Sequence, residues 1–236
     1  AIDNEHLQLW KDLYSPLSQE EKNCLFHSLK KYQLPENRVL LKYGALNNRL
    51  FFIEEGEVIV ASPQEESKKL KAIAKLGEGD VLGEYSFATI ALCSATAVTR
   101  TTVQLRCLEG ETAESWTEKH PGLYEKVLEF CNRHGQIERI TRRKEQEVHP
   151  NPRYSVEGLV KATLVIENEQ EESLILNGDL EEISRSGCSF AVHYSQKDTI
   201  KQLLTRSFTL EFILKNGGKE ITFSSEGRVV RVTVLL

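Results

Sequence analysis

The sequence predicts a mainly β protein with flanking helices, and three observations predict it. Apolar residues recur at three- and four-residue intervals over residues 4–32 and again over 113–148. Between those stretches, and again after residue 153, they fall into short runs separated by turn residues. Glycines mark the turns: Gly44, Gly56, Gly77 and Gly79 in the first strand-rich region, and Gly217-Gly218 in the second. Many short strands at regular spacing imply a small barrel or roll rather than a parallel sheet.

Each element follows in order. Leu7, Leu9, Trp10 and Leu13, then Leu25, Phe26 and Leu29, give the helical stripe of residues 4–32. Ser15-Pro16 interrupts it, and Ser18-Gln-Glu-Glu21 restarts it as an N-cap with a glutamate three residues on. Strands are expected at Val39–Leu41, Leu50–Ile53, Glu57–Val60, Leu70–Leu76, Ala95–Val98 and Val103–Leu108. The next helix starts near Pro121. Its apolar positions Leu123, Val127, Phe130, His134 and Ile137 suit either a two-helix seam or packing on the protein's own barrel. His149-Pro-Asn-Pro152 stops it and marks the boundary between domains at 1–145 and 150–236. Strands resume at Tyr154–Val156, Val160–Ile166, Ser173–Leu176, Cys188–Val192, Thr209–Leu214, Glu220–Phe223 and Val229–Val234.

Bulk properties exclude several classes. The 236 residues suffice for two domains, and the net charge of −5 gives no global attraction for nucleic acid or anionic membrane. No apolar run reaches the ~20 residues of a membrane span. The cysteines Cys24, Cys93, Cys107, Cys131 and Cys188 form no CxxC pair and read as free thiols in a reducing cytoplasm. The chain starts at Ala1 and has no methionine. It is therefore expected to be processed or truncated, or written without its methionines, and spacings are read to within one residue.

The first candidate site is Leu76-Gly-Glu-Gly-Asp-Val-Leu-Gly-Glu84, followed by Cys93-Ser94-Ala95. Two glycine turns and a carboxylate leading into a short helix suit a small phosphorylated ring. With Asn48-Arg-Leu-Phe-Phe-Ile-Glu-Glu-Gly-Glu-Val-Ile-Val60, this order resembles the cyclic nucleotide-binding domain family over about residues 15–145. The resemblance implies a β-roll with helices and a C-terminal helix that reports occupancy or dimerises. It also implies that Gly83-Glu84 binds a ribose hydroxyl and that an arginine nine or ten residues on pairs with the cyclic phosphate. That arginine position falls on Cys93. A guanidinium donates two charge-assisted hydrogen bonds to phosphate and a thiol replaces neither. At ~1.5–3 kcal/mol per such bond, its loss weakens binding at least roughly tenfold to a hundredfold. Three readings stay open: a vestigial pocket, a working pocket for cyclic AMP or cyclic GMP, and a less anionic ligand. The bland account is that the glycines only turn the chain and Glu84 only caps a helix.

The second candidate is His149-Pro-Asn-Pro-Arg153-Tyr-Ser-Val156 followed by Glu181-Glu-Ile-Ser184-Arg-Ser-Gly187-Cys-Ser-Phe190. It resembles the PilZ family of bacterial cyclic di-GMP receptors over about residues 150–236, which implies a six-stranded barrel. The family pattern is Arg-x-x-x-Arg before the first strand, then Asp/Asn-x-Ser-x-x-Gly. Guanidinium suits this ligand because it grips a guanine edge bidentately and also meets phosphate. Here the floor is Glu182, Ser184 and Gly187, and the arm is His149 and Arg153 with its first arginine missing. Arg142, Arg143 and Arg185 are nearby in sequence and could substitute, and Gly227-Arg-Val-Val-Arg231-Val suits the closing strand. The alternative is a PilZ-like module without ligand, with Ser184 and Gly187 serving only a turn.

No catalytic arrangement appears, so the protein is expected not to be an enzyme and to need no cofactor. His6, His27, His120, His134, His149 and His193 lack metal-ligand spacing. DNA binding is disfavoured because strands, not a winged helix, follow the first domain, and Glu138, Glu145 and Glu147 dilute the basic run. The expected protein is a cytoplasmic bacterial regulator. It would sense cyclic di-GMP, and a cyclic mononucleotide in addition, with a protein partner and a homodimer through the linking helix. The rival is a scaffold with degenerate ligand sites that binds protein partners.

Overall fold

The computed structural model describes residues 2–63, 70–135, 154–156, 161–166, 174–184, 187–192, 203–204, 206–216 and 219–232. The chain divides into two compact units, Ala1–Lys144 and Glu145–Leu236.

The first unit opens with helices α1 (Asn4–Leu9), α2 (Lys11–Tyr14) and α3 (Gln19–Ser28). Ser18 caps α3 as the sequence predicts: its Oγ accepts from the Glu21 N–H at 3.2 Å, and the Glu21 carboxylate accepts from the Ser18 N–H at 2.7 Å. The helical stripe predicted to run to residue 32 ends at Ser28. Leu29 is already extended, and Lys30–Leu34 forms β1, paired antiparallel to β9 from Lys30↔Cys107 to Leu34↔Val103. Residues 30–33 are exposed, so the apolar period carried no information about them.

The strands β2 (Val39–Leu41), β3 (Arg49–Glu55), β4 (Val58–Pro63), β5 (Leu70–Leu76), β6 (Val81–Leu82), β7 (Ile90–Ala91), β8 (Thr96–Thr99) and β9 (Val103–Glu109) follow, with helix α4 (Glu84–Ala88) between β6 and β7. They form two four-stranded sheets, ordered β1-β9-β3-β6 and β2-β8-β4-β5. β3 explains the roll. Phe51 and Ile53 pack inward with Val58, Val60, Leu105 and Ala97, while Leu50 and Phe52 pack outward against Trp10, Leu25 and Phe130. A strand buried on both faces must read as a continuous apolar run rather than an alternating one, and Leu-Phe-Phe-Ile does so.

Helix α5 (Gly110–Glu114), a short 3₁₀ turn at Ser115–Glu118 and α6 (Leu123–His134) complete the described part of this unit. Leu123, Val127 and Phe130 are buried in the unit's own helical core. That takes the packing option over the two-helix seam for these three positions; Ile137 lies outside the described residues.

The second unit is a six-stranded antiparallel sheet of β10 (Tyr154–Ser155), β11 (Lys161–Ile166), β12 (Leu174–Ser184), β13 (Gly187–Val192), β14 (Ser207–Asn216) and β15 (Lys219–Arg228). A further two-residue extended segment is Arg231–Val232. β13 runs along one edge of β12, and β11 followed by β10 runs along the other. Among the described residues these strands form a sheet, and no ladder there closes β13 onto β15, so the predicted six-stranded barrel is not shown. β12 also continues eight residues past the predicted end at Leu176. Asn177-Gly178-Asp179 looks like a turn, but a Cβ at Gly178 would run into the Ala191 carbonyl oxygen, so the glycine serves close strand approach. The pairing Asn216↔Lys219 brackets the predicted Gly217-Gly218 hairpin turn, whose two residues lie outside those described.

Candidate functional site

The first site is built where β6 meets α4. Gly83 is the N-cap of α4 with φ +89°, and a Cβ there would strike the Arg49 carbonyl oxygen. Only glycine fits both conditions. Asn47 staples the turn: its Nδ2 donates to the Arg49 carbonyl at 2.7 Å and to Ser86 Oγ at 2.8 Å. Ser86 Oγ in turn donates to the Gly83 carbonyl at 3.2 Å. Sequence reasoning missed Asn47 and Ser86, and nothing local could have revealed a pair 39 positions apart.

Gly83, Glu84, Cys93, Ser94 and Ala95 all line one cavity, together with Leu41, Val60, Leu82, Tyr85, Ser86 and Ala97. The cavity holds about 30 Å³, whereas small-molecule sites run to roughly 300–1,000 Å³. Glu84 is 2% exposed and Cys93 6%. Among the cavity's described lining residues, Glu84 carries the one formal charge. Negative charge near the Cys131 thiol in α6 adds to the effect of burial there, and both push that thiol's pKa up. The Cys93 thiol is also pushed up, chiefly by burial, with a hydrogen bond involving Ser86 acting in the other direction. The Cys93 backbone is committed as well, its N–H donating to Ala45 O and its carbonyl accepting from Gly44 N–H, each at 2.9 Å. The residue at the position that the family resemblance gives to an arginine is a packed thiol.

The second site divides. Arg142, Arg143, His149 and Arg153 lie outside the described residues. Glu182, Ser184 and Gly187 are near the β12–β13 connection, where Ser184 pairs with Gly187 and its Oγ donates to the Gly187 carbonyl at 3.0 Å. A β-bulge between Leu180 and Glu182 changes the parity of β12. Leu176 and Leu180 are in the core before it and Ile183 packs on the core after it. The shift turns Glu182 and Ser184 to the face opposite that core. On the other edge, β10 pairs with the same two-residue stretch, Tyr154↔Ile183 and Ser155↔Glu182.

A third cluster was not anticipated. His6 is 1% exposed; its Nδ1 lies 3.2 Å from Glu54 Oε1 and its Nε2 lies 2.9 Å from Tyr14 Oη. A carboxylate only accepts, so Nδ1 carries the proton and Nε2 accepts from the Tyr14 hydroxyl. Burial lowers the His6 pKa to about 4, more than the Glu54 hydrogen bond raises it. The Arg106 Nε donates to the same Glu54 oxygen, and its guanidinium lies 4.5 Å from the Phe26 ring centre. This cluster ties α1 and α2 to β3 and β9. No group of three or more His, Cys, Asp or Glu side chains suited to a metal occurs among the described residues. Nor, among them, is any helix long and apolar enough to cross a membrane.

Residues 31–120 match the family model described as the cyclic nucleotide-binding domain. Among solved structures, a cyclic nucleotide-binding domain from Methylobacillus flagellatus KT is 26% identical, with 62% of this chain and 82% of that chain covered at a TM-score of 0.50. The N-terminal domain of a transcriptional regulator from Streptomyces coelicolor A3(2) is 20% identical, with 60% and 94% covered at 0.45. The regulatory subunit of a cAMP-independent protein kinase A from Trypanosoma brucei is 22% identical, with 58% and 47% covered at 0.47. No curated protein matches this chain. The N-terminal unit thus carries a domain of the cyclic nucleotide-binding type, a β-roll with helices, and the family match ends at residue 120.

Proposed function

We infer that this is a non-enzymatic regulatory protein whose cyclic nucleotide-binding-type domain has given up its grip on a cyclic phosphate, and whose second unit is a PilZ-like receptor for cyclic di-GMP. The observation that carries the first half is the cassette itself. Its glycine turn and acid are kept, while its cavity of about 30 Å³ has no cation among the described lining residues. In support of the second half, the bulge presents Glu182 and Ser184 away from the core, and Ser184 and Gly187 stand across one ladder position. β10, which starts immediately after Arg153 in the chain, is hydrogen-bonded beside them.

Calorimetric titration with cyclic AMP, cyclic GMP and cyclic di-GMP tests both halves. Heat is expected with the dinucleotide alone, and its loss in Arg153→Ala. Binding of either mononucleotide by the unaltered protein would overturn the first half. Silence with the dinucleotide would overturn the second, and would leave a scaffold that binds protein partners.

A further inference from the structure

The sheet of the second unit ends on a long strand that has no described partner on its outer side. In the order β10-β12-β11-β14-β15, the strand β15 is paired with β14 alone. Their ladder runs from Asn216↔Lys219 to Ser207↔Arg228 without a register shift. A two-residue loop closes on a hydrogen-bonded pair, and such pairs alternate along an antiparallel ladder. Lys219, Ile221, Phe223, Ser225 and Gly227 therefore turn their backbone N–H and C=O groups to β14. Glu220, Thr222, Ser224, Glu226 and Arg228 turn theirs outward. An edge of this kind is a template for another strand.

The side chains of β15 divide between the two faces of the sheet. Phe223 lies on the core face, its ring stacked on that of buried Phe212 with centres 5.1 Å apart. Strand alternation puts Ile221 on that face too, yet Ile221 is 47% exposed and Phe223 42%. Glu220, Thr222, Glu226 and Arg228 take the opposite face and are all exposed. Edges that avoid pairing carry lysines or a bulge. The edge strand β5 of the first unit has both, in Lys71, Lys75 and the register shift opposite Val60 and Ala61. β15 has no such shift, and its outward-turned positions run from an acid at Glu220 to a base at Arg228.

We propose that β15 is a dimerisation edge, along which two copies of this chain join their second-unit sheets antiparallel about a two-fold axis at Ser224. Parity and charge select that register. Only outward-turned residues exchange hydrogen bonds across the axis, so the axis falls on a residue and not between two. An axis at Phe223 would set Glu220 against the partner's Glu226 twice, and like charges directly opposite repel. Axes at Thr222 or Ser225 shorten the ladder. An axis at Ser224 joins Glu220 through Arg228 in full and sets each Glu220 against the partner's Arg228. On the core face it brings the two exposed Phe223 rings into diagonal contact, within reach for aromatic side chains. The linking helix takes no part in this contact.

A single strand edge is a small interface, so association is expected at roughly micromolar concentrations. Sedimentation of the full chain over a concentration series is expected to show a monomer–dimer equilibrium. Arg228→Glu sets acid against acid at both ends of the contact and is expected to weaken the dimer about tenfold. Adding Glu220→Arg to that variant is expected to restore the affinity. Ser224→Pro removes an outward N–H, which an edge strand tolerates, and is expected to abolish association. Arg228 is exposed, so its variant keeps the test readable if Ser224→Pro does not fold. In Ser224→Cys the paired Cα atoms stand about 5.5 Å apart, within disulfide reach. Mild oxidation is expected to give a covalent dimer that the unaltered chain, with its own five cysteines, does not form. A monomer at every concentration would overturn the proposal. So would a dimer indifferent to Arg228→Glu, a charge swap that fails to restore association, or a Ser224→Cys chain that stays unlinked.

Discussion

At the residue scale, the proposed loss of cyclic phosphate binding turns on position 93. A thiol packed beside Ser86 fills space that a guanidinium would need, and the cavity beside it holds about 30 Å³. Cys93→Arg is expected to lower the melting temperature, because overpacking a filled site costs about 1–3 kcal/mol. It is also expected to make the protein responsive to cyclic AMP, which would recover part of that loss by binding only the folded state. Thermal melts with and without cyclic AMP check this, and a variant indifferent to the nucleotide would show that the pocket is misassigned. His6 gives a second expectation. Its folded pKa of about 4 lies below its ordinary 6.5, so the unfolded chain takes up the proton first. Stability is unaffected above about pH 6.5 and falls as pH drops towards 4, by about 3 kcal/mol in all. Glu54 acts lower down: burial raises its pKa, but the Arg106 and His6 interactions outweigh this and leave it lowered. Its contribution is present above the ordinary carboxylate range and disappears in stronger acid. Urea titrations across this range check the sum, and His6→Gln should flatten the upper limb.

At the scale of elements, the capping box at α3 was legible because its donors and acceptors lie three residues apart. Its Glu21 carboxylate also accepts from Lys126 Nζ in α6 at 2.7 Å, a link between helices that only the fold supplies. Ser18→Ala is expected to cost about 1 kcal/mol, read as a lower urea midpoint at unchanged slope. β12 shows the opposite case. Asn177-Gly178-Asp179 has turn composition, yet pairing on both edges keeps it extended, and the bulge that follows reverses which residues face the core. Glu182 and Ser184 were readable as a motif; the face of the sheet they take was not, because a bulge depends on the partner strand.

For the whole molecule, two separate cores predict two unfolding events. Trp10, Leu25, Phe52 and Phe130 anchor one unit and Leu176, Leu180, Leu210 and Phe212 the other. Calorimetry is expected to resolve two transitions, with Phe212→Ala lowering one by an amount in the range of about 3–5 kcal/mol and leaving the other in place. One transition, shifted as a whole, would show that the units unfold together.

The sequence by itself determined the alternation of helix and strand, the glycine turn before Glu84 and the presence of a thiol at position 93, because each is written in residues close along the chain. Tertiary structure decided that Lys30–Leu34 pairs as a strand and that α6 buries its stripe within its own unit. It also left the cassette a cavity of about 30 Å³ and a larger one, about 280 Å³, beside Trp10. Those outcomes depend on side chains brought together from distant positions, where volume and burial are set by packing and no local period records them.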